Sequence, residues 1–124
     1  MLTRLFQPQE IEVYYIIPTL RRYFALSLKE QGLKQKDIAP LLGVEESTVS
    51  QYFNNKRAIQ ISFSKDVEEK IKHSTITIKN PLDTIRETQA LLKYILESGE
   101  LCRLHKQLAH MPETCNIKIM GCHV

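Results

Sequence analysis

Apolar residues recur at steps of three to five positions along much of the chain, a spacing typical of helices with one buried face. Between Gln9 and Gln31 this recurrence predicts a long helix, which Pro18 interrupts. Proline lacks a backbone N–H, so the pattern predicts either a kink or a short leading helix followed by a second helix beginning near Pro18. Gly32 is suited to end that second helix.

Two short amphipathic segments come next. The first is predicted over residues 35–42 and ends at Gly43, and the second runs from about residue 46 to residue 54. Pro40 lies late in the first segment, where its ring conflicts with the carbonyl of Lys36. The sequence therefore predicts two short helices that meet at a glycine, the first of them distorted.

The remaining pattern is also mainly helical. Ser64 is placed to cap a helix that continues through His73. The alternating residues 74–79 predict a linker or a short strand.

A strong start signal opens the last third of the chain. Asn80 is the predicted cap, and Asp83 is placed to accept the backbone amide of that cap. The helix that follows runs to about Ser98, and Gly99 ends it. Its apolar positions form a single predicted stripe: Leu82, Ile85, Leu91, Leu92, Ile95 and Leu96. Further leucines predict a last short helix before Pro112, so the predicted fold class is all-α.

Composition narrows the choice of protein class. The chain has 124 residues, of which 43% are hydrophobic and 25% charged, with a net charge of +3. This length and composition describe either one compact globular domain or a very small domain with an accessory segment, and they exclude a large multidomain enzyme. The longest apolar run, residues 14–17, is far shorter than a membrane span, and no signal-peptide core opens the chain. We therefore expect a cytoplasmic protein that does not bind membranes.

Residues 32–57 have the pattern of a helix-turn-helix. Ala39 is small where two helices must approach closely, and Gly43 suits the turn between them. The inward positions are apolar: Ile38, Leu42, Val44, Val49 and Tyr52. The outward face of the second helix is polar: Glu46, Ser47, Thr48, Ser50 and Gln51. Such a face suits base edges in a major groove, although any small helical protein can contain a glycine between two amphipathic helices.

With these residues, the sequence resembles the Cro and phage-repressor (XRE) class of transcriptional regulators. The resemblance lies in GLKQ, the A-x-x-x-G spacing, VSQY and the N-x-K exit, within residues 18–73. It implies a lambda-repressor-like bundle that regulates transcription by binding double-stranded DNA, as a homodimer on a palindromic operator. Residues 1–17 would form an N-terminal arm or helix. Residues 80–124 would form a helical extension for dimerisation, with a cysteine-rich part that acts as a sensor or binds metal.

The resemblance also implies roles for individual residues. Gln35 would touch a phosphate and brace the recognition helix. Three residues would read bases, with Ser50 on the same polar face: Glu46, Ser47 and Gln51. Four would grip the DNA backbone: Thr48, Asn54, Lys56 and Arg57. Gln51 is suited to adenine and Glu46 to a cytosine amino group, whereas Lys34 departs from the family in standing where a capping residue is common.

The predicted dimer surface lies outside residues 18–73. One candidate is the N-terminal arm with Phe6, Ile11, Tyr14 and Tyr15. The other is the helix over residues 81–98, which we favour because its apolar stripe needs a partner.

The three cysteines all fall in the last quarter of the chain, in the spacing C-x2-H-x9-C-x6-C-H. Cys102, Cys115 and Cys122 could hold zinc with His105 or His123 as the fourth ligand, or a [4Fe-4S] cluster. The alternative is three reduced thiols beside exposed histidines, with no cofactor. The tail resembles that of small prokaryotic XRE-type regulators with a cysteine-bearing C-terminal extension.

Two other classes of function compete with that of a regulator. An enzyme is not expected, because the chain has no glycine-rich phosphate loop, nucleophile elbow or paired His-Glu zinc motif. The stronger rival is a protein-binding module, such as an antitoxin or adaptor, that keeps the fold without reading DNA.

Overall fold

A computed structural model describes residues 7–109, 111, 114 and 115. All the regular elements in this part of the chain are helical, which confirms the predicted all-α class. The helices are α1 (Pro8–Ile11), a π-helical turn (Glu12–Ile16), α2 (Ile17–Glu30), α3 (Gln35–Leu42), α4 (Glu46–Phe53), α5 (Lys65–Ile76), α6 (Pro81–Glu97) and α7 (Glu100–Leu108). Of these helices, none is long and apolar enough to cross a membrane.

The first three elements follow one another without a break. Pro18 lies in the first turn of α2, which agrees with the second of the two predicted alternatives except that no gap precedes the helix. The π-helical turn joins α1 to α2, and the Ile17 N–H donates to the carbonyl of Glu12, five residues earlier. The Thr19 hydroxyl donates to the Tyr15 carbonyl at 2.7 Å. These two hydrogen bonds allow the helical chain to continue through Pro18, which has no backbone N–H.

The core of the molecule forms around α2, which contacts α3, α4 and α5. Leu20, Phe24 and Leu28 lie on its inner face and are fully buried. Facing helices contribute Ile38, Val49, Val67 and Ile71 to the same core. Burial of this apolar surface is the main source of stability for the bundle.

Helix α5 is longer than predicted. It continues to Ile76, so the expectation of a linker or strand from residue 74 is wrong for its first three residues. Thr75 is buried, and its hydroxyl donates to the Ile71 carbonyl at 2.7 Å within the helix. The local alternation of STITIK is β-prone, but the buried positions Thr75 and Ile78 hold this segment against the core.

Helix α6 packs against α3 and α5, and α7 packs against α1 and α6. Leu91 and Ile95 are buried, whereas Leu82 and Ile85 are 72% and 60% exposed. The single stripe predicted for α6 is therefore wrong at Leu82 and Ile85, because the start of α6 turns Asp83 and Thr84 inward instead. The extension is part of the same bundle as the helix-turn-helix.

The predicted start of α6 is confirmed with one change. The Asn80 side chain accepts from the Asp83 N–H at 2.9 Å, as a cap should. The Asp83 carboxylate accepts from the Lys79 N–H, also at 2.9 Å, rather than from Asn80 itself. Because of these bonds and the neighbouring Arg86, the pKa of Asp83 is lowered.

Candidate nucleic-acid interface

Helices α3 and α4 meet at a tight corner formed by Gly43. Its φ of +68° lies in the left-handed region, which glycine adopts without strain. The Val44 N–H then donates to the Ala39 carbonyl at 3.1 Å and closes the end of α3. Helix α3 also runs through Pro40 to Leu42, so the conflict expected at that proline does not end it. The corner fixes how the polar side of α4 is presented.

Helix α4 has one apolar side and one polar side. Val49 and Tyr52 are buried against the core. On the other side Glu46 and Ser47 are exposed, and the next polar residues are partly exposed: Thr48, Ser50 and Gln51. The predicted polar face is therefore a surface of the molecule, which a duplex could reach.

A hydrogen bond joins the first turns of α3 and α4. The Gln35 side-chain amide donates to the Glu46 carbonyl at 2.9 Å, which is the bracing contact expected from the sequence. The residues at the two N-cap positions, Lys34 and Glu45, make no side-chain capping bond. The backbone N–H groups of both first turns therefore lack the usual side-chain acceptors.

The exit from α4, which is the segment of residues 54–57 that follows the helix, is hydrogen-bonded back to α4. The Asn54 amide donates to the Ser50 carbonyl at 2.9 Å, and the Lys56 N–H donates to the Gln51 carbonyl at 2.8 Å. The Arg57 guanidinium donates through Nε to Oε1 of Gln51 at 2.6 Å. The structure thus brings together two side chains to which different roles were assigned, one on bases and one on the backbone.

Sequence reasoning missed a further arginine that supports this exit. Arg22 of α2 donates through Nε to the Ala58 carbonyl at 3.0 Å, and its guanidinium lies 5.0 Å from the centre of the Tyr23 ring. Ala58 has a φ of +59°, an unusual conformation for alanine. No sequence signal could have found this contact, because its partners are 36 residues apart and the carbonyl group is common to all residues.

The electrostatic character of the interface is mixed. Residues 34–57 carry four basic and three acidic side chains. Glu45, which precedes α4, and Glu46, the first residue of α4, are both exposed. Burial raises the pKa of Tyr52, although the positive charges of Arg21 and Arg57 act in the opposite direction. The attraction of this surface for phosphate is therefore small for a single copy of the chain.

Residues 24–76 match a protein family described as helix-turn-helix. This match covers less than half of the chain and supports the resemblance of the same segment to the Cro and phage-repressor (XRE) class. The family is one of DNA-binding regulators, which the exposed face of α4 suits. The match begins within α2 and ends with α5. The domain predicted from the sequence covers residues 18–73. No curated protein and no solved structure matches the chain significantly.

The C-terminal extension is attached to the helix-turn-helix domain by a buried carboxylate. Glu100, at the start of α7, accepts the Ser64 N–H at 2.7 Å and is 6% exposed. Arg103 donates to the same carboxylate at 2.9 and 3.0 Å and to the Ser62 carbonyl at 3.0 Å. Ser64 in turn caps α5. Helix α7 therefore holds the segment that links α4 to α5.

The metal-ligating candidates lie partly outside the described residues. Cys102 on α7 is half-buried and Cys115 is buried, and neither is in a disulfide. Cys122 and His123 fall outside the part of the chain that the structure describes. His105 is buried, so the expectation of an exposed histidine is wrong; it lies one turn after Leu101, on the packed face of α7. Among the described residues, no three side chains of the ligand types come together.

Proposed function

We propose that the protein is a sequence-specific transcriptional regulator that binds a palindromic operator as a homodimer. The observation that carries the proposal is the exposed polar face of α4, held by the corner at Gly43 and by the bond from Gln35 to Glu46. An eight-residue helix of this kind fits a major groove, and its first residues are those that meet base edges.

We assign the side chains of this surface to two groups by the role that each would take on DNA. Glu46, Ser47 and Gln51 project from α4 and would read base edges, with Ser50 beside them. Thr48, Asn54, Lys56 and Arg57 would contact phosphates along the rim. Gln35 would do the same from the first turn of α3, where the uncapped backbone N–H groups also suit a phosphate oxygen. Phosphate contacts set the register, and base contacts set the sequence.

Two features favour a dimer over a single copy. One short helix reads only a few base pairs, and the nearly balanced charge of residues 34–57 gives little non-specific affinity. Apolar side chains that the fold leaves exposed could form the dimer surface: Val13, Tyr14, Leu82 and Ile85. Ile11, Leu91 and Ile95 are used inside the bundle, and Phe6 lies outside the described residues.

DNA binding by the full chain is the direct test. We expect binding to its own promoter region that falls steeply with salt, a footprint with twofold symmetry, and sedimentation as a dimer at micromolar concentration. Salt-insensitive binding to a protein partner, with no footprint, would instead support the rival antitoxin-like or adaptor-like module. Monomers at that concentration would contradict the dimer.

We also propose that the cysteine-bearing extension tunes this regulator through zinc or an iron-sulfur cluster. Cysteine thiolates suit both, and Cys102 and Cys115 would be two of the ligands together with Cys122. Support comes from the position of Cys102 on α7, the helix whose Glu100 and Arg103 hold the segment after the recognition helix. A bound metal could therefore alter DNA binding through α7.

Metal analysis after anaerobic purification tests this second proposal. We expect at least one equivalent of zinc or several of iron, lost in a Cys115→Ser variant. Colourless protein with less than one equivalent of either metal would remove the proposal and leave DNA binding untouched.

A further inference from the structure

Gln51 does not present an isolated amide to the groove. Its oxygen, Oε1, accepts the Nε–H of Arg57 at 2.6 Å, a short charge-assisted hydrogen bond. Gln51 is half-buried on α4, and Arg57 is exposed beyond the end of the same helix. The two side chains therefore meet DNA as a pair.

The pair changes which base the glutamine can recognise. The major-groove edge of adenine offers one acceptor and one donor, so an unpaired glutamine matches it with one N–H and its oxygen. Guanine offers two acceptors, N7 and O6. Since Arg57 occupies the glutamine oxygen, the pair offers only N–H donors: the amide N–H groups of Gln51 and the remaining guanidinium N–H groups.

The second lone pair of the glutamine oxygen does not restore the match to adenine. A donor that approached it, such as the N6 amino group, would come close to the positive guanidinium. The acceptor edge of guanine would be attracted by the same charge. Electrostatics and hydrogen-bond matching thus favour the same base.

The backbone on both sides of Arg57 keeps the pair in place. The Lys56 N–H is bonded to the Gln51 carbonyl at 2.8 Å, and the carbonyl of Ala58 accepts from Arg22 at 3.0 Å. Arg57 is thus tethered at its two neighbours, one to α4 and one to α2. A pair organised before binding loses less conformational entropy on the DNA.

From this arrangement we infer that the Gln51–Arg57 pair selects a G·C over an A·T base pair at the operator position that Gln51 faces. The inference rests on the proposed function and names one element of its sequence preference. It replaces the adenine expected for Gln51 from residue type alone.

The experiment is a selection of binding sites from random double-stranded DNA by the full chain and by three variants. Gln51→Ala identifies the operator position that Gln51 faces, because the preference for one base pair at that position should fall by roughly tenfold. The wild-type chain should prefer G·C at that position. Arg57→Ala should shift its preference toward A·T, because the freed amide again matches adenine.

Lys56→Ala is the matched control, since it removes one neighbouring positive charge without touching the pair. It should weaken binding to all sequences alike and leave the preference unchanged. An A·T preference in the wild-type chain, or an Arg57→Ala preference that stays with G·C, would overturn the inference while the proposed function stands. A chain that enriches no sequence would overturn both.

Discussion

Two pairs of helices in this molecule have similar junctions, but the first residue of the second helix has a different environment in each pair. Helices α3 and α4 are joined at Gly43, and α6 and α7 at Gly99, both glycines in the left-handed conformation. In each pair the second helix opens with a glutamate, Glu46 in α4 and Glu100 in α7. Glu46 is exposed, whereas Glu100 is buried with its carboxylate bonded to Ser64 and Arg103.

The difference shows what separates a recognition surface from a structural contact. A polar helix face can meet DNA only where the fold leaves its hydrogen-bonding groups to be shared with a partner. On α4 most of the polar face stays at the surface, while on α7 the first polar residue is used to attach the helix. Helical periodicity is the same in both cases, so burial and partners decide the role.

The largest effect is expected from breaking the packing of the extension. Ile95 is fully buried, so Ile95→Ala should lower the free energy of unfolding by about 3 kcal/mol and destabilise the whole chain. Urea denaturation monitored by circular dichroism measures this change in the free energy of unfolding. If α6 were an independent attachment, the helix-turn-helix domain would instead unfold at an unchanged urea concentration.

Ile85→Ala, in the same helix, is the control for that experiment. Its side chain is 60% exposed, so the substitution should change stability by less than about 0.5 kcal/mol. The proposed dimer surface includes Ile85, so self-association should weaken in sedimentation. Equal destabilisation by the two substitutions would contradict the packing of α6.

The next effect is expected from the two glutamates. Glu100→Ala leaves the Ser64 N–H without its acceptor, removes two of the bonds that Arg103 donates, and should lower the free energy of unfolding by about 2 kcal/mol. Glu46→Ala removes an exposed side chain and should cost less than about 0.5 kcal/mol. Thermal unfolding of both variants provides the measurement. Similar costs would mean that the two helix starts do not differ as their burial indicates.

Sequence reasoning succeeded where the signal was local. The corner at Gly43, the cap at Asn80 and the all-α class depend on residues close together in the chain, and each was predicted. It failed for the start of α6, because which side chains of a helix are covered depends on distant helices. The Gln51–Arg57 bond was also missed, since the exit from α4 had to fold back before the two could meet.

A smaller effect is expected at the two glycines. A Cβ added at Gly43 or Gly99 would meet nothing within 4 Å, so the cost of alanine is only the strain of the left-handed backbone. Each substitution should lower the free energy of unfolding by about 1 kcal/mol. Gly43→Ala should weaken DNA binding more than Gly99→Ala, because the corner at Gly43 positions α4 directly, whereas α7 acts only through the segment that follows α4. Fluorescence anisotropy with labelled DNA measures the affinity. Equal loss of affinity in both variants would contradict the difference between the two helix pairs.

The smallest effect concerns the pH dependence of the Glu100 attachment. Burial acts to raise the pKa of Glu100, but bonds from Arg103 and from the Ser64 N–H outweigh it, so the pKa is lowered. A carboxylate that ionises more readily in the folded chain stabilises it above the unfolded pKa, and this contribution disappears as the pH falls through the folded value. The stability difference between wild type and Glu100→Gln should therefore shrink from about pH 6 to about pH 3. Denaturation with chelator and reductant present would measure it, with Glu46→Gln controlling for the loss of one charge. A difference that grew toward acid pH would mean that burial dominates at Glu100, and α7 would then be held by its apolar face instead.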